Sequence, residues 1–261
     1  MKPGPRRPLG RSLLDAWSEV RGRLRRAAHL ALLLDFDGTL VPLQHDPDKV
    51  HLEEPVRRLL GRLARHPEVT VCLVSGRRVA DLRRRVRLPC VRYLGLHGWE
   101  KAGEVLAATD GAKLVDEAKR AMAKRLGKLP SIRIEEKGPS FAVHFRGAAA
   151  AEVSGARAIV RKALASFHPR LRVLKGKSVW EILPRAAEDK GRAARTVLAG
   201  LPEGTLAFYL GDDTTDESAF RALPEAITVR VGLSLRSHAR FWLRSPREVW
   251  RFLKRLEAEI A

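Results

Sequence analysis

Residues 30–40 read LALLLDFDGTL. The unbroken apolar run 30–34 has the length of a strand buried on both faces, and it ends in two aspartates flanking Phe36. Strands of that kind belong to parallel sheets covered by helices on both sides, so the stretch predicts a layered α/β core. It also poses a chemical question, because two like charges repel one another at the end of a buried strand.

Outward from this stretch the alternation recurs. Helical periodicity over 12–28 precedes a strand at 30–35, and a helix is predicted at 53–65, a strand at VTVCLVS (69–75), a helix at 78–86 and a third strand at CVRYLGLHG (90–98). The middle of the chain changes character. A helix at 114–126 is followed by SIRIEE (131–136) and SFAVHFR (140–146) about the turn KGP, alternating as an antiparallel pair does. A helix at 151–166 then precedes two more short strands, LRVLKG (171–176) and SVWEIL (178–183). From Asp189 the first pattern resumes with helix 189–199, strand 205–211, helix 215–222, strand 226–232 and helix 246–259. The expected organisation is a discontinuous doubly wound core, residues 1–102 and 185–261, interrupted by an inserted α+β cap, residues 103–184.

Composition narrows the classes. At 261 residues and 45% apolar content the chain can bury a core, and its longest apolar run, 27–34, is too short to span a bilayer before it meets Asp35. The N-terminal residues carry basic side chains without the apolar segment of a secretion signal, and read as a frayed arm on a cytoplasmic protein. Two cysteines, Cys72 and Cys90, lack metal-ligand spacing and read as small buried thiols in a reducing compartment. The net charge of +20 raises nucleic acid as a partner, but arginine is spread from end to end. The clusters RGRLRR (21–26) and RRR (83–85) read as solvated helix faces, which speaks against nucleic acid and for a field that draws in small anions.

In open parallel sheets, chemistry gathers beyond the C-terminal strand ends. Polar clusters fall there in this chain: DFDGT (35–39), SGRR (75–78), HGWE (97–100) and GDDTTDE (211–217), while Lys190 opens the helix after the inserted module. Asp35, Asp37 and Asp212 would form a dense anionic pocket, and carboxylates desolvated together need a cation. Oxygen donors without histidine or cysteine favour magnesium, which keeps positions open for a phosphate. One carboxylate would attack phosphorus and another protonate the leaving oxygen, with Ser75 donating to the phosphoryl oxygens and Lys190 offsetting their charge.

DFDGTL, SGR, the lysine of EDKGRA and GDDTTDE, in this order, resemble the signature motifs of the haloacid dehalogenase (HAD) superfamily. Its members share a Rossmann-like core and usually carry a cap, and the inserted module is similar to the C2-type cap. The resemblance implies that Asp35 is the nucleophile and Asp37 the acid and base, with catalytic roles for Ser75 and Lys190. It implies magnesium on Asp35, the Asp37 backbone carbonyl and Asp212, supported by Asp213 and Asp216.

LGLHGWE, SFAVHFR, GKSVWEILP, EDKGRA and GDDTTDE further resemble successive motifs of trehalose-6-phosphate phosphatases, over nearly the whole chain beyond residue 28. That implies hydrolysis of trehalose 6-phosphate to trehalose and phosphate, the last step of trehalose biosynthesis, with a functional link to the synthase that makes the substrate. Substrate contacts are then expected from Gly76, Arg77, His97, Gly98 and Glu100 in the core, and from His144, Arg146, Lys177 and Glu181 on the cap strands, with Trp180 in the cap's own interior. Leu183 stands where that family tends to carry a basic residue, and the segment after VRVG is shorter than the family pattern. The alternatives are a phosphatase for sucrose 6-phosphate or mannosyl-3-phosphoglycerate on the same core and, from another class, a polyanion-binding protein with a vestigial site.

Overall fold

The computed structural model describes residues 10–44, 49–101, 104–105, 109–234 and 236–260. Residues 1–9 of the expected N-terminal arm and the expected boundary at 102/103 lie outside them. The chain divides into two compact units, Met1–Gly103 with Asp189–Ala261, and Glu104–Glu188.

Numbered along the chain, the first unit contains strands β1 (Arg11–Ser12), β2 (His29–Leu34), β3 (Val69–Val74), β4 (Arg92–Gly95), β5 (Glu100–Lys101), β11 (Thr205–Gly211), β12 (Ile227–Val231) and β13 (Phe241–Leu243). Their order is β1-β13-β12-β11-β2-β3-β4-β5, parallel throughout except for the antiparallel β4–β5 pair. Alternate residues of the central strands enter two different apolar layers. Leu30, Leu32 and Leu34 face α1 (Trp17–Leu24), α2 (Glu54–Leu63), α3 (Val79–Val86) and α8 (Pro246–Ile260). Ala31 and Leu33 face α6 (Lys190–Ala199) and α7 (Glu217–Ala222). Each leucine so buried contributes about 1.5–3 kcal/mol, which is why an apolar run without alternation makes a central strand.

The helices follow from spacing. In α2, Val56, Leu59, Leu60 and Leu63 recur at helical intervals behind Pro55, whose fixed φ suits a first turn; α8 repeats the spacing with Val249, Phe252, Leu253 and Leu256. The helix α3 stops at Arg87, in left-handed conformation with φ 56°. The expected doubly wound α/β core is thus the fold found, with differences at its margins. The helix expected over 12–28 is confined to Trp17–Leu24, because Arg11 and Ser12 pair with Phe241 and Trp242. The third strand ends at Gly95, where the chain enters a 3-10 turn, Leu96–Gly98. Arg85, expected on a solvated face, is buried, and Cys90, expected inside, is exposed while Cys72 is buried.

The second unit comprises β6 (Glu104–Val105), α4 (Thr109–Leu126), β7 (Arg133–Glu136), β8 (Phe141–His144), α5 (Ala150–Ala165), β9 (Leu171–Gly176) and β10 (Val179–Pro184). Strands β7-β8-β10-β9 form an antiparallel sheet in that order. One face packs Phe141, Val143, Trp180 and Ile182 against Val115 and Met122 of α4 and Val160 of α5. Trp180 lies in this core, its ring centroid 4.4 Å from that of Phe145. The strand period of two turns Glu181 to the opposite face, level with Ala142 and Leu174. No helix among the described residues is long and apolar enough to cross a membrane.

Candidate active site

The alternation that buries Ala31 and Leu33 under α6 carries Asp35 to the same side. Asp35 lies just past the strand, its N–H donating to the Leu210 carbonyl of β11 at 2.9 Å, and it is buried. Tyr209 of β11 faces the same layer. The helix above them is started by Asp189, whose side chain accepts from the Arg192 N–H at 2.9 Å, so that Lys190, its first residue, points into the layer. Lys190 Nζ donates to Asp35 Oδ1 at 2.8 Å and to Asp216 Oδ1 at 2.7 Å, and the Tyr209 hydroxyl donates to Asp216 Oδ1 at 3.0 Å. Asp216 reaches this position because the chain after Gly211 folds into a 3-10 turn, Thr214–Asp216, in which the Asp213 N–H donates to Asp216 Oδ2 at 2.9 Å.

Asp212, also buried, follows directly on the end of β11, which pairs with β2. Gly38 runs against its carboxylate with φ +84°: a Cβ there would sit 2.2 Å from Asp212 Oδ2, so both the conformation and the space require glycine. Asp35, Asp212 and Asp216 each offer a carboxylate oxygen, and these lie within 4.8 Å of one another. Lys190 therefore bridges two of these buried carboxylates, Asp35 and Asp216, with the Asp212 carboxylate close by. Burial pushes the Asp35 carboxyl well above its ordinary range; Lys190 opposes that shift, and the charges of Asp216 and Asp212 add to it. Burial alone would lower the Lys190 ammonium, but Asp216 and Asp35 outweigh it and hold the group charged. An all-oxygen, anionic donor set of this kind fits a hard divalent cation such as magnesium.

Asp37 differs from the expected shared pocket of Asp35, Asp37 and Asp212. Its carboxylate is turned onto Arg77, whose Nε and Nη2 donate at 2.6 and 2.8 Å. The third carboxylate of the cluster is Asp216, and Asp37 stands at its edge, part-exposed. Asp213 does not face the cluster with its side chain, which accepts from the Thr214 N–H at 2.7 Å. Ser75 is buried at the end of β3, with its Oγ accepting from the Arg77 N–H at 3.2 Å. Gly76 lies against the buried ring of His97, whose N–H donates to the Ser75 carbonyl at 2.8 Å. Gly98 packs on Ala193 of α6, and Glu100 is turned inward to accept from the Val79 N–H at 2.8 Å and Arg78 Nη2 at 3.2 Å. Glu100 therefore holds the first turn of α3, where a negative charge suits the helix dipole.

Within the second unit, Glu181 accepts from Lys137 Nζ at 3.0 Å and Ser140 Oγ at 2.8 Å on the sheet face away from α4 and α5. His144 Nε2 meets Glu135 Oε2 at 2.7 Å, and Lys177 and Arg146 are exposed on turns. Three groups escaped the sequence reading. Tyr209 was signalled only by a hydroxyl inside TLAFYLG. Thr39, whose Oγ1 approaches Asp35 Oδ2 at 3.5 Å, hid in the turn sequence, and Asp81 hid among arginines at helical spacing.

Comparison with known proteins bears on both units. A family model described as Trehalose-phosphatase matches residues 33–238. A trehalose-phosphate phosphatase of Mycobacterium marinum is 34% identical over 246 residues, covering 88% of this chain; the chain spans only 62% of that protein's length. The C-terminal domain of a Candida albicans trehalose-6-phosphate phosphatase shares the fold, with TM-score 0.84 and 22% identity over 97% of this chain and 99% of that one. A trehalose-6-phosphate phosphatase of Aspergillus fumigatus aligns with TM-score 0.67 and 26% identity, over 95% of this chain and 99% of the other. Since the matched span takes in every carboxylate of the cluster, Lys190 and the whole second unit, the chain belongs to the trehalose-phosphatase family.

Proposed function

We propose that this chain hydrolyses trehalose 6-phosphate to trehalose and phosphate with the help of magnesium. The observation that carries the reading is the cluster of buried carboxylates at the strand ends, where Asp35, Asp212 and Asp216 offer oxygens within 4.8 Å of one another and Lys190 pairs with two of them. Membership of the family supports the substrate. Asp35, Asp212 and the Asp37 carbonyl would hold magnesium, with Asp213 and Asp216 in support, and the ion would neutralise the carboxylates and orient the phosphoryl group.

The residues of the chain carry the bond changes. A carboxylate oxygen of Asp35 forms a bond to phosphorus as the bond to the sugar oxygen breaks, and Asp37 gives that oxygen its proton. Water then attacks the same phosphorus, Asp37 takes its proton, and the Asp35–phosphate bond breaks to free phosphate. Lys190 and the Ser75 hydroxyl offset the charge that builds on the phosphoryl oxygens. Gly76, Arg77, His97 and Gly98 line the approach, and Lys177, Glu181, His144 and Arg146 supply donors and acceptors for sugar hydroxyls. Free Cys72 and Cys90 suit a reducing cytoplasm, and the substrate implies a functional link to the synthase that makes it.

The test is phosphate release from trehalose 6-phosphate, sucrose 6-phosphate, mannosyl-3-phosphoglycerate and glucose 6-phosphate, with magnesium or EDTA, for the wild type and Asp35→Asn. The expected result is preference for trehalose 6-phosphate, abolished by EDTA and reduced about 10³-fold or more by the substitution. Equal rates on all four esters would remove the trehalose assignment. Activity that survives both EDTA and Asp35→Asn would remove the mechanism.

A further inference from the structure

The helix α3 begins without a cap of its own. Arg78 stands at its N-cap position and makes no side-chain bond to the first turn, although the opening N–H groups of a helix need acceptors. The acceptor for the first of them comes from 21 positions away: buried Glu100 takes the Val79 N–H on Oε2 at 2.8 Å and Arg78 Nη2 on Oε1 at 3.2 Å. Backbone bonds close the same junction. The Ser75 N–H donates to the Leu94 carbonyl at 3.0 Å, the Leu96 N–H to the Arg77 carbonyl at 2.9 Å and the His97 N–H to the Ser75 carbonyl at 2.8 Å. Gly95 leaves room for all of this: a Cβ there would lie 2.6 Å from Glu100 Oε2 and 2.7 Å from the Val79 nitrogen. Its φ of −95° is open to any residue, so space and not conformation requires glycine.

Ser75 follows directly on β3, which pairs with β2, and Asp35 follows directly on β2. Inside the turn that Glu100 closes, the Ser75 Oγ accepts from the Arg77 N–H at 3.2 Å, which leaves its own O–H to donate elsewhere. We propose that Glu100 is a positioning residue for phosphoryl transfer: by holding the Val79 N–H it fixes the turn from Ser75 to Val79, and with it the direction in which the Ser75 hydroxyl donates to the phosphoryl oxygens. This inference rests on the phosphatase reading above. It places the action of Glu100 on the group that every ester shares, and not on the sugar.

Two readouts separate this role from a sugar contact and from a purely structural cap. Glu100→Ala should lower kcat/KM by about tenfold or more on both trehalose 6-phosphate and p-nitrophenyl phosphate, the two factors agreeing within about threefold. In a Ser75→Ala background the same substitution should cost no more than about threefold further, because the hydroxyl it aims is gone. Glu100→Gln, which keeps an oxygen for the Val79 N–H, should stay within about threefold of the wild type on both esters. Should Glu100→Ala not fold, Glu100→Asp, which withdraws the carboxylate from Val79 by one methylene, must show the same equal loss and the same failure to add to Ser75→Ala. A loss confined to trehalose 6-phosphate would make Glu100 a sugar contact and overturn the proposal. Unchanged rates in the folded variant, or a full loss that persists in the Ser75→Ala background, would leave Glu100 a structural cap and overturn it as well. A wild-type chain that hydrolyses neither ester overturns the phosphatase reading itself.

Discussion

Asp35 in the first unit and Glu181 in the second are both buried carboxylates bonded to lysine, at 2.8 and 3.0 Å, yet their surroundings differ. Glu181 accepts from its own lysine, Lys137, and from the Ser140 hydroxyl. Asp35 shares its lysine with Asp216 and has Asp212 beside it. A buried carboxylate with a lysine of its own shapes a surface and holds donors in place. Carboxylates crowded about one shared lysine favour a further cation, and the ends of parallel strands are where chemistry is done.

The sharpest way to break this contrast is to remove the two lysines in turn. Lys190→Met leaves Asp35 and Asp216 buried without their cation and should cost about 3–5 kcal/mol in urea unfolding, with much of the loss recovered when magnesium is added. Lys137→Met should cost less, about 1–3 kcal/mol, because Ser140 still donates to Glu181, and magnesium should recover none of it. Magnesium rescue of Lys137→Met would show that the second unit also carries a cation site. A smaller effect sharpens the division of labour: Lys177→Ala should lower kcat/KM on trehalose 6-phosphate by about tenfold while sparing p-nitrophenyl phosphate, as expected for a contact to sugar hydroxyls. The smallest change is expected at the exposed Arg58–Glu54 pair of α2, 3.0 Å apart, where Arg58→Ala should alter stability by no more than about 0.5 kcal/mol.

The same contrast explains what could be read from the residues alone. The central strands were legible because LALLL and TLAFYLG stay apolar on both faces, a pattern set by local composition. The edge strand β1 was not, because its two residues acquire strand geometry only by pairing across more than two hundred positions. Asp35, Lys190 and Asp212 were legible because each sits at a strand end or helix start. The placement of Asp216 in the cluster depends on a 3-10 turn that folds it back, and the hold of Arg77 on Asp37 spans 40 positions. Side-chain partners of that kind are decided by packing, after the strands are in register. Glu100 shows the same limit: its motif suggested a substrate contact, whereas its oxygens hold the N-terminal turn of α3.

The central claim is that Asp35 forms the bond to phosphorus. Asp37→Asn should still accept the phosphoryl group from p-nitrophenyl phosphate, whose phenolate needs no proton, but should lack the base that activates water for the second step. Quenching that variant during turnover with magnesium and mapping its peptides by mass spectrometry should therefore find phosphate on Asp35. A quenched variant that releases phosphate with no modified carboxylate, or that carries the group on another residue, would contradict the account.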